Sequence, residues 1–390
     1  MASICIYFQV HQPFRLRRFS VFERGSEYFD TEKNRELLGK VAQTCYLPTN
    51  ALIADLIARH GGRFRLAFSL SGVALEQMRD YAPDVLESFQ RLAATGAVEF
   101  LAETYHHSLS FIYSPEEFVA QVERQRALVE ELFSQSPRAF RNTELIYNNT
   151  LARVVAELGY RVILCEGADH LLGYHSPAYL YNPPGSPDVS LLLKNYRLSD
   201  HITAHFGNQQ WREWPLTAEK FARWIHEVNE DEHVVNLFMD YETFGERHQA
   251  ETGIFDFLRH LPARILRLPN SDFKTPSECA AAYPGQGEFD VPHMISWAET
   301  ERDVSAWLGN AMQSNALHQL YRLEAQVKQS GDEVILENWR RLQTSDHFYY
   351  MCTKQFVDGD YRRRFNPYDS PYDSFINFMN VLDNLRARLA

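Results

Sequence analysis

Basic residues are in deficit in this chain. Against 39 Lys and Arg stand 51 Asp and Glu, a formal net charge of −12. Nucleic acid is a poor partner for such a protein, because affinity for it rests on basic patches that neutralise phosphates. Cysteine is scarce. Cys5, Cys45, Cys165, Cys279 and Cys352 are odd in number and scattered, with no C-x-x-C among them. That spacing suggests neither a zinc knuckle nor a disulfide framework, and it suits a reducing cytoplasm. No run of about 18 or more apolar residues occurs, so no membrane span is expected. The opening MASICIYFQVHQPF lacks the basic segment and the long apolar core of a secretory leader. Neither a G-x-G-x-x-G turn, a P-loop nor a G-x-S-x-G elbow is present. Internal repeats are missing too.

What remains is an ordinary folded composition, 45% hydrophobic and 23% charged. The length suffices for one large core and a smaller second unit. Aromatics reach 13%. Their first use is core packing. Their second is stacking on the apolar faces of sugar rings.

Apolar runs alternate with amphipathic ones. Strands are expected at Ser3 to Val10, Phe64 to Leu70, Val98 to Ala102, Ala139 to Arg141 and Arg161 to Cys165. Helices are expected between them, at Thr49 to His60, Ala82 to Thr95, Ser114 to Phe133 and Thr150 to Leu158. The Ser114-Pro115-Glu116-Glu117 start is the clearest: Ser at the N-cap, Pro at N1, Glu at N3. Leu191 to Phe206 and Val234 to Met239 read as further strands. Pro262 to Asp290, rich in Pro, Gly and Ser, reads as a long connection. Helical spacing then dominates from Val304 to the C-terminus. A strand–helix–strand rhythm predicts a parallel sheet with its chemistry at the carboxyl ends of the strands. The reading is a barrel-like α/β domain over residues 1–285 and a helical domain over residues 286–390.

Acids cluster at those strand ends. VVNLFMDYETFGE delivers Asp240, Glu242 and Glu246 after an apolar run, and AFRNTE delivers Glu144. Two carboxyls on two strand ends are the minimum for cleaving a glycosidic bond, one to protonate the leaving oxygen and one to meet the oxocarbenium. Glu99 is an acid inside an apolar strand, costly without a partner or a job. Glu144 and Asp240 could equally be capping acids in turns. His11, His106, His107 and Asp240 offer a rival reading as metal ligands. No adjacent Asp-Asp pair accompanies them, so no metal is expected. Trp297 and Trp307 flank Glu299, Glu301 and Asp303, a mix that suits a sugar cleft or an acid-rich helix start.

These residues resemble glycoside hydrolase family 57, and within it the intracellular α-amylase-type members. The matching segments are VHQP at 10–13, GAVEFL at 96–101, the Glu144 segment, FMDYETFGE at 238–246, SWAETERDVSAWLGNAMQ at 296–313 and TSDHFYYMCTK at 344–354. The resemblance implies an α/β fold, an incomplete TIM-like (β/α)7 barrel, followed by a C-terminal helical domain that closes the cleft. It implies retaining hydrolysis of α-1,4-glucans such as starch, glycogen or maltooligosaccharides, with no cofactor. Glu144 matches the nucleophile and Asp240 the general acid/base. His11 and Glu99 match positions lining the sugar subsite. Asp303 falls in the last motif, whose aspartate helps bind substrate. Trp297, Trp307, Asp200 and Glu242 are added as substrate-binding candidates. LSDHITAHFG departs from the arginine-containing run usual after LSD. The same resemblance leaves room for a 4-α-glucanotransferase, a branching-type transglycosylase or a non-catalytic glucan-binding protein. Oligomeric state stays open.

Overall fold

The computed structural model describes residues 2–228, 233–354 and 366–389. Ten strands are described: β1 (Ala2–Val10), β2 (Leu66–Leu70), β3 (Val98–Leu101), β4 (Ala139–Arg141), β5 (Val162–Glu166), β6 (Leu180–Asn182), β7 (Ser190–Lys194), β8 (Val234–Asp240), β9 (Ser271–Phe273) and β10 (Gly285–Glu288). Parallel ladders join β3, β2, β1 and β8 in one sheet and β4, β5 and β7 in another. The two sheets meet at both edges. On one side Ala102 N–H donates to Ala139 O and Arg141 N–H donates to Ala102 O, at 3.0 and 2.9 Å. On the other, Asn195 N–H donates to Asn236 O at 2.9 Å, and Asn236 Nδ2 to Leu193 O at 2.9 Å. The order β1-β2-β3-β4-β5-β7-β8 therefore closes on itself as a seven-stranded α/β barrel. The short strands β6, β9 and β10 pair alongside it.

Strand residues alternate between two cores, as the period of two requires. Ile4, Ile6, Phe8, Val235, Leu237 and Met239 face the surrounding helices. Cys5, Tyr7, Ala67, Leu101, Ala139, Leu164, Leu192 and Phe238 fill the barrel interior. Both faces are covered, which explains why the strands read as continuous apolar runs. The inward rows change character at their carboxyl ends. There the next inward positions are Gln9, Ser69, Glu103, Arg141, Glu166, Lys194 and Asp240. A polar ring thus caps an apolar plug.

The C-terminal region is helical: Ala311–Tyr321, Glu324–Ser330, Glu333–Arg341, Ser345–Tyr349 and Pro371–Ala387. Leu317, Leu320, Trp339, Phe348, Phe378 and Leu382 form its core, and Leu16, Phe19 and Tyr28 from the segment after β1 complete it. Glu117 fastens this region to the barrel. Fully buried on the helix Pro115–Phe133, it meets Arg340 at 2.8 Å and Lys328 at 3.3 Å.

Two expectations fail here. Leu191 to Phe206 is not all strand. β7 stops at Lys194, and Asn195 caps a helix, Tyr196–Thr203, by accepting from Leu198 N–H. Pro262 to Asp290 is not a bare connection. It holds the end of the helix Ile254–Ile265, then β9, the helix Pro276–Ala282 and β10. Pro276 is the N1 proline of a helix capped by Thr275 and Glu278, while Pro262 lies inside Ile254–Ile265 and Ser271 in β9.

Candidate active site

A pocket of about 240 Å³ opens over the polar ring. His11, Glu144, Asp200, Asp240, Glu242, Trp297 and Trp307 all line it. Of the nine residues singled out in the sequence, seven are brought together.

Glu144 reaches the pocket through an unusual backbone. β4 ends at Arg141, and the chain then makes a 3₁₀ turn, Thr143–Leu145. Glu144 and Leu145 both have positive φ, 56° and 51°. Consecutive left-handed residues with side chains cost of order 1–3 kcal/mol each and persist where surroundings over-determine them. Here buried Leu145 fills the barrel interior, Asn142 Nδ2 donates to Ile146 O at 3.0 Å, and Trp297 N–H donates to Glu144 O at 3.3 Å.

The carboxylate is held on both oxygens. Trp297 Nε1 donates to Oε2 at 2.8 Å and Ser345 Oγ donates to Oε1 at 3.0 Å. His107 Nε2 stands 3.5 Å from Oε1, and its Nδ1 is 2.9 Å from buried Glu103. Burial would raise the proton affinity of Glu144. The His107 hydrogen bond and charge, then Arg141, outweigh it and hold the carboxyl down at about 2. For His107 burial favours the neutral ring, but the hydrogen bonds and charges of Glu103 and Glu144 lift it to about 9. Gln9 Nε2, a donor, also lies 3.0 Å from His107 Nε2, an arrangement suited to a neutral ring. Two buried carboxylates outweigh one amide, so we assign the imidazolium. Glu144 is then an ionised, oriented carboxylate at neutral pH.

His11 stacks on His107 with ring centroids 4.1 Å apart. Its Nδ1 meets Ser71 Oγ at 2.7 Å and its Nε2 meets Asp346 Oδ2 at 3.0 Å. Burial and the neighbouring His107 charge lower its proton affinity. Asp346, despite burial, is held well below the usual range by His11 and His107. Arg141 and Lys194 both approach the Trp297 ring, 5.0 and 5.4 Å from its centroid. Asp200 faces Lys194 at 3.6 Å and Arg302 at 3.4 Å. Asp240 ends the inward row of β8, level with Gln9 of β1.

Two candidates lie elsewhere. Glu99 is inward-facing but sits at the amino end of β3. It accepts from Ser277 N–H at 3.0 Å and from Ser277 Oγ, and so caps the helix Pro276–Ala282 beneath the barrel. Two inward steps further along, Glu103 occupies the polar ring. Asp303 Oδ1 accepts from Ser305 N–H at 2.8 Å and from Ser305 Oγ, at the start of the turn Ser305–Leu308. It is a capping acid and does not line the pocket.

The rival metal set does not assemble. His106 Nε2 turns to Glu337 at 3.1 Å, beside Arg124, while His11 and His107 are engaged as described. Among the described residues no three His, Cys, Asp or Glu side chains converge as metal ligands.

Sequence reasoning missed Glu103, Arg141, Ser345 and Asp346 in these roles. Arg141 and Glu103 follow from continuing the inward alternation one step past each apolar run. Ser345 and Asp346 carry no such signal, because tertiary packing of the helical region brings them in.

Comparison with known proteins bears on the fold and the family. Residues 5–292 match glycosyl hydrolase family 57. A Methanocaldococcus jannaschii protein named "Putative alpha-amylase" is 40% identical over 97% of this chain and 83% of its own length. Among solved structures, a 4-alpha-glucanotransferase from Thermococcus litoralis superposes with a TM-score of 0.70 at 13% identity. It covers 97% of this chain, which spans only 59% of that longer protein. A family 57 branching enzyme from Thermococcus kodakaraensis gives 0.68 at 15% identity, over 99% of this chain and 94% of its own. The alpha-amylase AmyC of Thermotoga maritima gives 0.65 at 14% identity, over 100% and 94%. At such identities the solved structures speak for the fold, while the sequence matches speak for the family: this chain belongs to glycosyl hydrolase family 57.

Proposed function

We propose that the protein is a retaining α-glucan hydrolase, with Glu144 as nucleophile and Asp240 as general acid/base. The observation that carries this reading is the pairing of two carboxyls from different strand ends in one pocket, one of them held ionised and oriented. In the first step Asp240 gives its proton to the glycosidic oxygen while a Glu144 oxygen bonds to the anomeric carbon and the leaving sugar departs. In the second, Asp240 takes a proton from water, whose oxygen displaces Glu144 and restores the original configuration. A nucleophile must be a carboxylate at working pH, and the His107 charge keeps Glu144 so. Trp297 offers aromatic surface, and His11, Asp200 and Glu242 offer polar groups, to the sugars beside the cleaved bond. A maltooligosaccharide supplies both apolar ring faces and hydroxyls and fits such a lining.

The helical region contributes Ser345 and Asp346 to this pocket. We take residues 1–285 as the barrel unit and 286–390 as the unit that completes the cleft. The glycosyl-enzyme can be intercepted by a sugar as well as by water, so chain-length analysis of the products decides between hydrolysis and transfer.

Replacing Glu144 with Gln tests the reading. The expected result is a loss of kcat/KM on maltooligosaccharides of about three orders of magnitude, in a protein that still folds. Undiminished cleavage by E144Q overturns it.

A further inference from the structure

Beyond Asp240 the chain makes a 3₁₀ turn, Tyr241–Thr243, that sets Glu242 in the pocket wall. Glu242 is only 7% exposed. Its Oε1 accepts from Tyr46 Oη, and Gln12 Nε2 lies 3.4 Å from the same oxygen. Both are neutral partners, unlike the imidazolium that faces Glu144.

Tyr46 ends a five-residue π-helical turn, Ala42–Tyr46, between the helices Thr31–Val41 and Leu47–Arg59. Single π turns are rare and are kept where they place something. This one is fitted closely to the segment that carries Glu242. Cys45 Sγ donates to Tyr241 O at 3.3 Å, Thr44 Oγ1 donates to Glu246, and Lys40 Nζ lies 3.2 Å from Glu246. Gly245, at φ +102°, comes so near that a Cβ there would sit 1.9 Å from Thr44 O. Two backbones meet at a point only glycine allows, and the contact that results is Tyr46 on Glu242, 196 positions apart.

We infer that Glu242 is a positioning residue for the acid–base step, setting how firmly Asp240 holds its proton, and that the π turn fixes it there. The inference rests on the reading of Asp240 as the acid/base. Two carboxyls in one pocket cannot both ionise cheaply. They titrate as a pair, and the last proton belongs to the pair. Burial first, then the Asp240 charge, pushes Glu242 up to about 8. Across neutral pH Glu242 therefore keeps a proton two residues from the carboxyl assigned as the acid, where the pair can share it. Several groups face Glu242. From its own segment come Asp240, Tyr241 and Arg247, whose N–H donates to Glu242 O at 2.9 Å. From the π turn come Cys45 and Tyr46. After β1 come Gln12 and Arg15, whose Nη2 lies 3.3 Å from Gln12 Oε1. Burial pushes Tyr46, Tyr241 and Cys45 well up, so none titrates in this range.

The test is the pH profile of kcat/KM on maltooligosaccharides for wild type, E242Q, Y46F and D240N. E242Q keeps the shape and removes the second negative charge. Its alkaline limb is expected to fall by about one unit or more, so that the loss at pH 8 exceeds any loss at pH 5.5 by roughly tenfold. Y46F removes a hydrogen bond that favours the Glu242 anion, so its limb is expected to rise. A residue with only a structural role would lower activity evenly and shift neither limb. Stationary limbs in both E242Q and Y46F, with D240N inactive, overturn this inference alone. A D240N protein with full activity overturns the acid/base assignment itself.

Discussion

Changing His107 to Gln removes the positive charge 3.5 Å from Glu144 while keeping a polar side chain. The wild-type ring is lifted from an ordinary 6.5 to about 9, against burial, by Glu103 and Glu144. That rise, 9 − 6.5, is about 2.5 units, or about 3 kcal/mol. Shared between two carboxylates, it leaves about 1 unit on Glu144, with Arg141, Trp297 and Ser345 still opposing burial. Glu144 should move from about 2 to about 3 or above. The acid limb of kcat/KM, below the usual assay range in the wild type, should enter it in H107Q. Activity should then fall about tenfold per unit below that limb. Stability gives a second readout. A raised folded-state value stabilises fully below the unfolded value and is lost as pH rises through the folded one. Wild-type unfolding free energy should therefore decline as pH rises from 6.5 through about 9, by up to ~3 kcal/mol, and H107Q should lack that decline. An H107Q enzyme with an unmoved acid limb and the wild-type stability profile refutes the assignment of a charged His107.

Trp297→Phe keeps a ring beside Arg141 and Lys194 but deletes the 2.8 Å bond to Glu144 Oε2. Hydrogen bonds to charged groups contribute about 1.5–3 kcal/mol, so kcat/KM should drop roughly 10- to 100-fold, chiefly in kcat. Gly245→Ala forces a Cβ into Thr44 O at positive φ and should cost about 3 kcal/mol or more, read as a lower urea midpoint with unchanged slope.

The strands were readable because parallel strands covered on both faces are unbroken apolar runs, and VVNLFMD shows where one ends. Alternation then carried Asp240 to the pocket. Glu99 was misplaced for a related reason. An acid in a strand faces inward or outward by parity, but only its distance from the carboxyl end says whether it meets the site or the barrel floor. β3 is four residues long and begins at Val98, so Glu99 belongs to the floor. Asp303 has the type and neighbourhood of a binding residue, yet Asp-Val-Ser also offers a local cap, and the local bond is the one formed. Asp346 illustrates what sequence cannot give. It lies 335 positions from His11, and only the docking of the helical region brings the two within 3.0 Å. The Tyr46–Glu242 contact was hidden likewise, since nothing local in AQTCY announces a π turn.

The most direct test uses the D240N protein with an α-glucosyl or α-maltosyl fluoride. Such a substrate needs no proton to lose its leaving group, while the missing base slows release of the sugar. The account predicts a covalent glycosyl adduct on the peptide carrying Glu144, and release as the α-anomer. An adduct on any other residue, or a β-configured first product, contradicts it.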